Sequence, residues 1–299
     1  MLLDISDNIK LVLSETGFTY CNCLYIDDEV QAIIDTGADV NSLQAIHPNN
    51  IDRVINTHHH IDHTRGNKIF SNAQISIHEF DAEPLADIST FLHFNSFDRW
   101  DDLMPQYDYI ETAKEIGIFI NDFDYIGKVD NTFADGESID FGKINMQVIH
   151  TPGHSRGHCS FWFPEQDFLF CGDICLTQAG PWYGELLSNP TDMINSIEKL
   201  IELKPARLAS CHIKKVCTDS VERLTEFRDR IYKRDDRIHK FLINNPSDID
   251  KIAEHKFIYR MHVSPFVLFW EKLMVIKHLE RLLEFDRIEA VEPGLYKAK

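Results

Sequence analysis

The stretch Thr57-His58-His59-His60-Ile61-Asp62-His63-Thr64-Arg65-Gly66-Asn67 constrains this chain more than any other. The residues before it, Arg53-Val54-Ile55-Asn56, are largely β-branched and apolar and predict a buried strand that delivers His58 at its carboxyl end. In extended chain alternate side chains point the same way, so His58 and His60 converge while His59 turns aside. A helix beginning near Asp62 would aim Asp62 and His63 at a neighbouring point. Crowded imidazoles and a carboxylate call for a cation, and two adjacent metal sites are expected. A surface histidine cluster would not need the strand in front of it or the glycine behind.

Three further ligand-type residues recur at strand ends. Residues 137–150 read as a hairpin turning at Gly142, and Thr151-Pro152-Gly153 then stops the strand and exposes His154, which would complete the first site with His58 and His60. Residues 159–163 and 167–171 form a second hairpin ending in Gly172-Asp173, where the two oxygens of a carboxylate can bridge two ions. A strand over residues 206–210 presents His212, which would complete the second site with Asp62, His63 and Asp173. Asp35, after a strand over residues 30–34, is placed to steady a ligand histidine from behind, or to cap the following helix. His158 reads as a hydrogen-bonded structural residue, Ser155 and Arg156 as candidates to face substrate, and Trp182 and Tyr183 as pocket walls.

Around these motifs, strands over residues 8–13, 18–26 and 30–34 open an antiparallel sheet. Strands at 51–56 and 74–78 then alternate with helical segments, one of them near 67–70, which predicts helices outside and sheets inside. Residues 80–126 break that rhythm with Phe91, Phe94, Phe97, Trp100, Tyr107, Tyr109, Phe119, Phe123 and Tyr125 among acids. Such a segment can roof the site as a lid, pack on the scaffold, or form a homodimer contact, and the three uses stay open. An amphipathic helix is expected over 191–203. From residue 218 to 299 the pattern becomes helical, with a two-stranded wing at 288–296 turning at Pro293-Gly294. The division expected is a catalytic domain over 1–217 and a helical domain over 218–299.

The formal charge is −18. Residues 219–299 hold 16 basic and 15 acidic side chains, leaving 14 basic and 33 acidic in residues 1–218, so the acidity sits with the motif and opposes nucleic-acid binding. The start of the chain lacks a basic stretch followed by an apolar one, and no apolar run reaches spanning length, so no membrane association is expected. The seven cysteines include no CxxC pair. They fit buried, reduced thiols and a cytoplasmic location.

With His58, His60, Asp62, His63, His154, Asp173 and His212 in place, the chain resembles the metallo-β-lactamase superfamily of metallohydrolases. It carries the complete HxHxDH motif and the later ligands in the family's order. The resemblance implies an α/β (α+β) fold, a four-layer αββα sandwich over residues 1–217 with a binuclear site at its edge. The helical tail resembles, more weakly, a winged-helix-like extension of some members. Two divalent ions are implied, zinc foremost, with iron, manganese or cobalt also compatible. The expected activity is hydrolysis of an ester-like bond of a small molecule, a lactone such as an acyl-homoserine lactone or a thioester, by a hydroxide shared between the metals and oriented by Asp62. Many lactonases of the superfamily carry a tyrosine three residues past the bridging aspartate, where this chain has Leu176. A phosphodiesterase or ribonuclease and a non-catalytic metal-binding module are the alternatives.

Overall fold

The computed structural model describes residues 1–14, 20–119, 123–124 and 126–299. Alternating apolar runs pair there into two sheets. The first opens with β1 (Leu2–Asp4), β2 (Ile9–Val12), β3 (Cys23–Ile26) and β4 (Ala32–Ile34), successive strands running antiparallel. Helix α1 (Val40–Gln44), capped by the Asp39 carboxylate accepting from the Ser42 amide, carries the chain over to β5 (Arg53–Ile55), parallel to β4. Helix α2 (Ile61–Thr64) leads to β6 (Gln74–His78), parallel to β5. Four short helices follow, α3 (Glu79–Ala82), α4 (Ile88–Phe94), α5 (Trp100–Leu103) and α6 (Tyr109–Glu115), before β7 (Asn131–Phe133) closes the sheet beside β6.

The second sheet is a meander of β8 (Ser138–Asp140), β9 (Asn145–His150), β10 (Cys159–Phe163) and β11 (Phe168–Phe170). Helix α7 (Pro190–Leu203) then crosses over to β12 (Arg207–Ala209), parallel to β11. The chain ends with α8 (Ser220–Leu242), α9 (Ile249–Ala253), α10 (Pro265–Glu284) and a ribbon of β13 (Ile288–Glu292) and β14 (Leu295–Ala298).

Period-two alternation sorts the side chains between cores. Ile33, Val54 and Ile75 of the first sheet share one core with Val148, Phe161 and Phe170 of the second. Trp162, Leu169 and Leu208 face the other way and join Met193 and Ile197 of α7, together with Leu224 and Ile231 of α8 and Met274 and Leu279 of α10. The C-terminal helices therefore share their core with the outer face of the second sheet. A third cluster joins Phe91, Trp100 and Met104 to Phe266, Phe269 and Leu273 of α10, so the aromatic segment packs against the C-terminal part.

The layered α/β arrangement expected from the motif pattern is present. Three details differ. Strand β1 was not anticipated, being only three residues long with exposed ends. The helix expected near 67–70 is a single 3-10 turn, Asn67–Ile69. The ribbon at the C-terminus runs to Ala298. Residues 18–19 of the strand expected at 18–26, and Tyr125, lie outside the described residues. Among the described residues no helix is long and apolar enough to cross a membrane.

Candidate active site

Ligand-type residues gather where strands of the two sheets end. Asp35 follows β4, His58 follows β5, His154 follows β9, Asp173 follows β11 and His212 follows β12. Helix α2 starts at Ile61, so Asp62 and His63 project from its first turn, with His60 as the residue before it. Glycine permits the approach at two points. A Cβ on Gly66 would sit 2.1 Å from the Thr36 carbonyl oxygen, so α2 could not dock there. Gly172, at φ +52, lets Asp173 leave β11 in a left-handed turn, and a Cβ there would meet His158 Nε2 at 2.6 Å.

The groups form two clusters joined by one carboxylate. His58 Nε2, His60 Nδ1 and His154 Nε2 form a triangle with sides of 2.9, 2.9 and 3.1 Å. In the second cluster, His63 Nε2 lies 3.5 Å and His212 Nε2 3.4 Å from Asp62 Oδ2. Asp173 stands between them. Its Oδ1 is 3.0 Å from His212 Nε2 and 3.3 Å from His63 Nε2, and its Oδ2 is 3.4 Å from His154 Nε2. Donors about 2 Å from a tetrahedral ion are roughly 3.3 Å apart, so both clusters have the spacing of ligands around a cation. Two of the converging atoms, His63 Nε2 and Asp173 Oδ1, are buried with no hydrogen-bond partner among the described residues, an arrangement that a metal ion would satisfy.

The outward-facing ring nitrogens show which way the imidazoles are polarised. His58 Nδ1 is 2.9 Å from Thr57 Oγ1, and that hydroxyl donates to Asp35 Oδ2 at 2.8 Å. His63 Nδ1 lies 2.9 Å from the same Asp35 oxygen. His60 Nε2 is 2.9 Å from Glu185 Oε2, and His154 Nδ1 is 3.0 Å from the Trp182 carbonyl oxygen. Each ring gives its proton to an acceptor behind it and turns a lone pair to the centre, the arrangement metal ligation requires. Burial holds His58 and His154 well below the ordinary imidazole range, which favours those lone pairs. Asp173 moves the other way from what burial dictates, because His212, His63 and His154 around it hold its carboxyl well below the usual range.

Asp35 is fully buried at φ +59, a backbone conformation costly for a non-glycine residue. It steadies the site, and Asp39 is the helix cap. His158 accepts the Asp173 amide at Nε2, 2.9 Å away, and so holds the bridging residue in place. Tyr183, expected as a pocket wall, is fully buried and turned away from the cavity, hydrogen-bonded to His278 and Arg234. Ser155 does not face substrate either, since its hydroxyl donates to Asp81 at 2.6 Å, and Arg156 stacks over Phe80.

Two acids escaped the sequence reading. Asp81 accepts from the His59 amide, His59 Nδ1, Ser155 Oγ and the Gly157 amide, clamping the His58–His60 loop to the His154 loop. Despite the opposing effect of burial on each, this pairing raises His59 to about 10 and holds Asp81 below its ordinary range. Glu185 holds His60 and lies 3.2 Å from His59 Nε2, close enough for charge attraction though not aligned as a hydrogen bond. The only local signal for Asp81 was an acid just past a strand end.

A cavity of about 370 Å³ opens from the two clusters. Its walls come from the aromatic segment through Asn95, Phe97, Ile116 and Ile118, from Trp182, and from the C-terminal part through Tyr259 and Trp270. The described residues of the segment over 80–126 thus pack and line the site at once.

The profile of the metallo-beta-lactamase superfamily matches residues 16–212. The chain is similar to the hydroxyacylglutathione hydrolase of Rhodospirillum rubrum, 30% identical over 162 residues, 54% of this chain and 47% of that protein. It is 33% identical over 101 residues, 33% of this chain and 39% of that protein, to the hydroxyacylglutathione hydrolase of Bartonella quintana. The chain therefore spans less than half the length of these curated relatives. Among solved structures, a metallo-beta-lactamase family protein from Thermus thermophilus aligns with a TM-score of 0.78 at 19% identity, covering 99% of this chain and 100% of that one. A beta-lactamase domain protein from Burkholderia ambifaria aligns with a TM-score of 0.72 at 15% identity, covering 100% and 93%. These two likenesses concern the fold, and their coverage runs through the C-terminal helices.

Proposed function

The chain belongs to the metallo-beta-lactamase superfamily, and from that membership we propose that it is a binuclear metal-dependent hydrolase of an ester-like bond, with a thioester as the leading substrate class. The observation that carries this reading is the position of Asp173, whose two oxygens face the two histidine clusters from between them. The activity for which the relatives are named, hydroxyacylglutathione hydrolase, supports a thioester over a lactone, and Leu176 stands where many lactonases carry tyrosine.

His58, His60 and His154 would hold one ion, Asp62, His63 and His212 the other, and Asp173 both. Two divalent ions bound there lower the pKa of water to near neutrality and polarise a carbonyl. The chain's own residues do the rest. Asp62 accepts a hydrogen bond from the attacking water and so fixes its direction. Asp35, through His63 and Thr57, and Glu185, through His60, keep the ring nitrogens aimed at the centre without further rearrangement. Trp182, with its ring centroid 5.3 Å from His60 and 5.4 Å from His154, shields the first cluster from bulk water.

The test is a hydrolase panel of thioesters, lactones, oxyesters and phosphodiesters run with metal-loaded protein. The reading predicts thioester turnover that a chelator abolishes. Preferential cleavage of single-stranded RNA, or metal binding with no turnover of any substrate, would contradict it.

A further inference from the structure

Resting on the hydrolase reading, we propose that the cavity over the two clusters is an acyl pocket: the substrate brings an uncharged hydrophobic acyl group into it, while any polar carrier stays outside. Away from the ligand residues, and with Asn95 and Thr177 as the polar exceptions, the described lining is largely apolar. Ile116 and Ile118 come from the end of the aromatic segment, Phe97 from between α4 and α5, Trp182 from the loop after the bridging aspartate, and Tyr259 and Trp270 from the C-terminal part. Among the described residues that line it there is no lysine or arginine.

Two arginines behind the 177–181 loop bind its backbone. Arg230 donates to the carbonyls of Thr177 and Gln178, and Arg234 to those of Ala179 and Pro181, so both hold the loop by its backbone. Apart from the two ions, whose charge Asp62 and Asp173 partly offset, an anionic group such as the carboxylates of a glutathione carrier would meet no cationic side chain in the described lining. The volume, about 370 Å³, is that of a site for a small acyl chain or ring. Trp182 lies against both His60 and His154, so a group that fills the pocket touches the wall next to the scissile bond. Burial of each added methylene then strengthens substrate capture about three- to fourfold until the cavity is full.

The experiment uses the full metal-loaded chain and acyl thioesters of one small neutral thiol, N-acetylcysteamine, from acetyl to decanoyl, with succinyl as the charged comparison and the same acyl groups on glutathione. The expected result is a kcat/KM that climbs about three- to fourfold per methylene and then levels. Succinyl should run at least about tenfold below butyryl, with no advantage for the glutathione carrier. The Ile118→Lys and Ile116→Lys variants should each shift the hexanoyl-to-succinyl ratio toward succinyl by about tenfold or more, whatever their absolute rates. A binding measurement, quenching of tryptophan fluorescence by octanamide but not by succinamate, should agree. Turnover with a flat chain-length series, or a preference for glutathione or succinyl substrates, would overturn the acyl pocket and leave the hydrolase reading standing. Absence of any thioester or ester turnover would overturn both.

Discussion

The two halves of the centre are supported from different places. His63, in the second cluster, leans on Asp35 at the end of β4, within the sandwich, and Asp173 is held by His158 of the neighbouring loop. In the first cluster only His58 has that kind of support, through Thr57 and Asp35. His60 and His154 lean on Glu185 and on the Trp182 carbonyl, both in one loop. That loop is in turn fastened to the C-terminal helices. Tyr183 is hydrogen-bonded to His278 of α10 and Arg234 of α8, Asp235 holds His278 at 2.6 Å, and Lys277 donates to the Leu186 carbonyl. The first cluster is thus held by residues more than a hundred positions downstream of the motif. The supports of His63 and Asp173 lie within the sandwich. The C-terminal helices thus brace the loop behind the first cluster.

Four predictions press on that contrast. The largest effect falls on what the halves share. Asp173→Ala should empty both sites and lower turnover by more than about a hundredfold, since loss of even an outer support costs roughly 10- to 100-fold; metal analysis beside kinetics checks it. Next, Asp35→Asn should weaken the second ion by roughly 10- to 100-fold and, through Thr57 and His58, also disturb the first, read by calorimetric metal titration. Glu185→Ala should weaken the first ion by a similar factor and leave the second within a few-fold. Equal losses at both sites would break the comparison.

The smallest effects belong to the brace itself. His278→Phe removes one hydrogen bond each from Asp235 and Tyr183, which keep Arg281 and Arg234, and should cost about 1–3 kcal/mol in denaturant unfolding, with the first ion weakened more than the second. It also has a pH signature. Burial holds the His278 imidazole below its ordinary 6.5, against the pull of Asp235. As pH falls, the unfolded chain takes up that proton first, so the contribution is full above about 6.5 and lost as pH drops below it. The difference between wild-type and His278→Phe stability should therefore slope only on the acid side of about 6.5, and a slope confined to the alkaline side would contradict the assignment.

Much of this centre was legible because its ligands obey local rules. His58, His60, Asp62 and His63 sit within one strand–turn–helix passage, where pleat and helix start dictate direction. His154, Asp173 and His212 each follow a strand, where proline, glycine or the strand's end itself stops the ladder. The supports were less legible because nothing local identifies them. Glu185 meets His60 across 125 residues, and an isolated acid in an apolar loop gives no hint of its partner. Tyr183 was misread for the same reason, since an aromatic beside a pocket turns inward only when something behind it, here His278, accepts its hydroxyl. Residues 80–126 could not be sorted into lid or packing because their short helices do both, presenting Trp100 to α10 and Ile116 to the cavity.

Two ions are predicted to lie on either side of one carboxylate, that of Asp173. Anomalous diffraction from crystals of the metal-loaded protein tests it most directly. Two peaks roughly 3.5–4 Å apart are predicted, one among His58, His60 and His154 and the other beside Asp62, His63 and His212, with Asp173 touching both. A single peak, or a pair that leaves Asp173 uncoordinated, would contradict it.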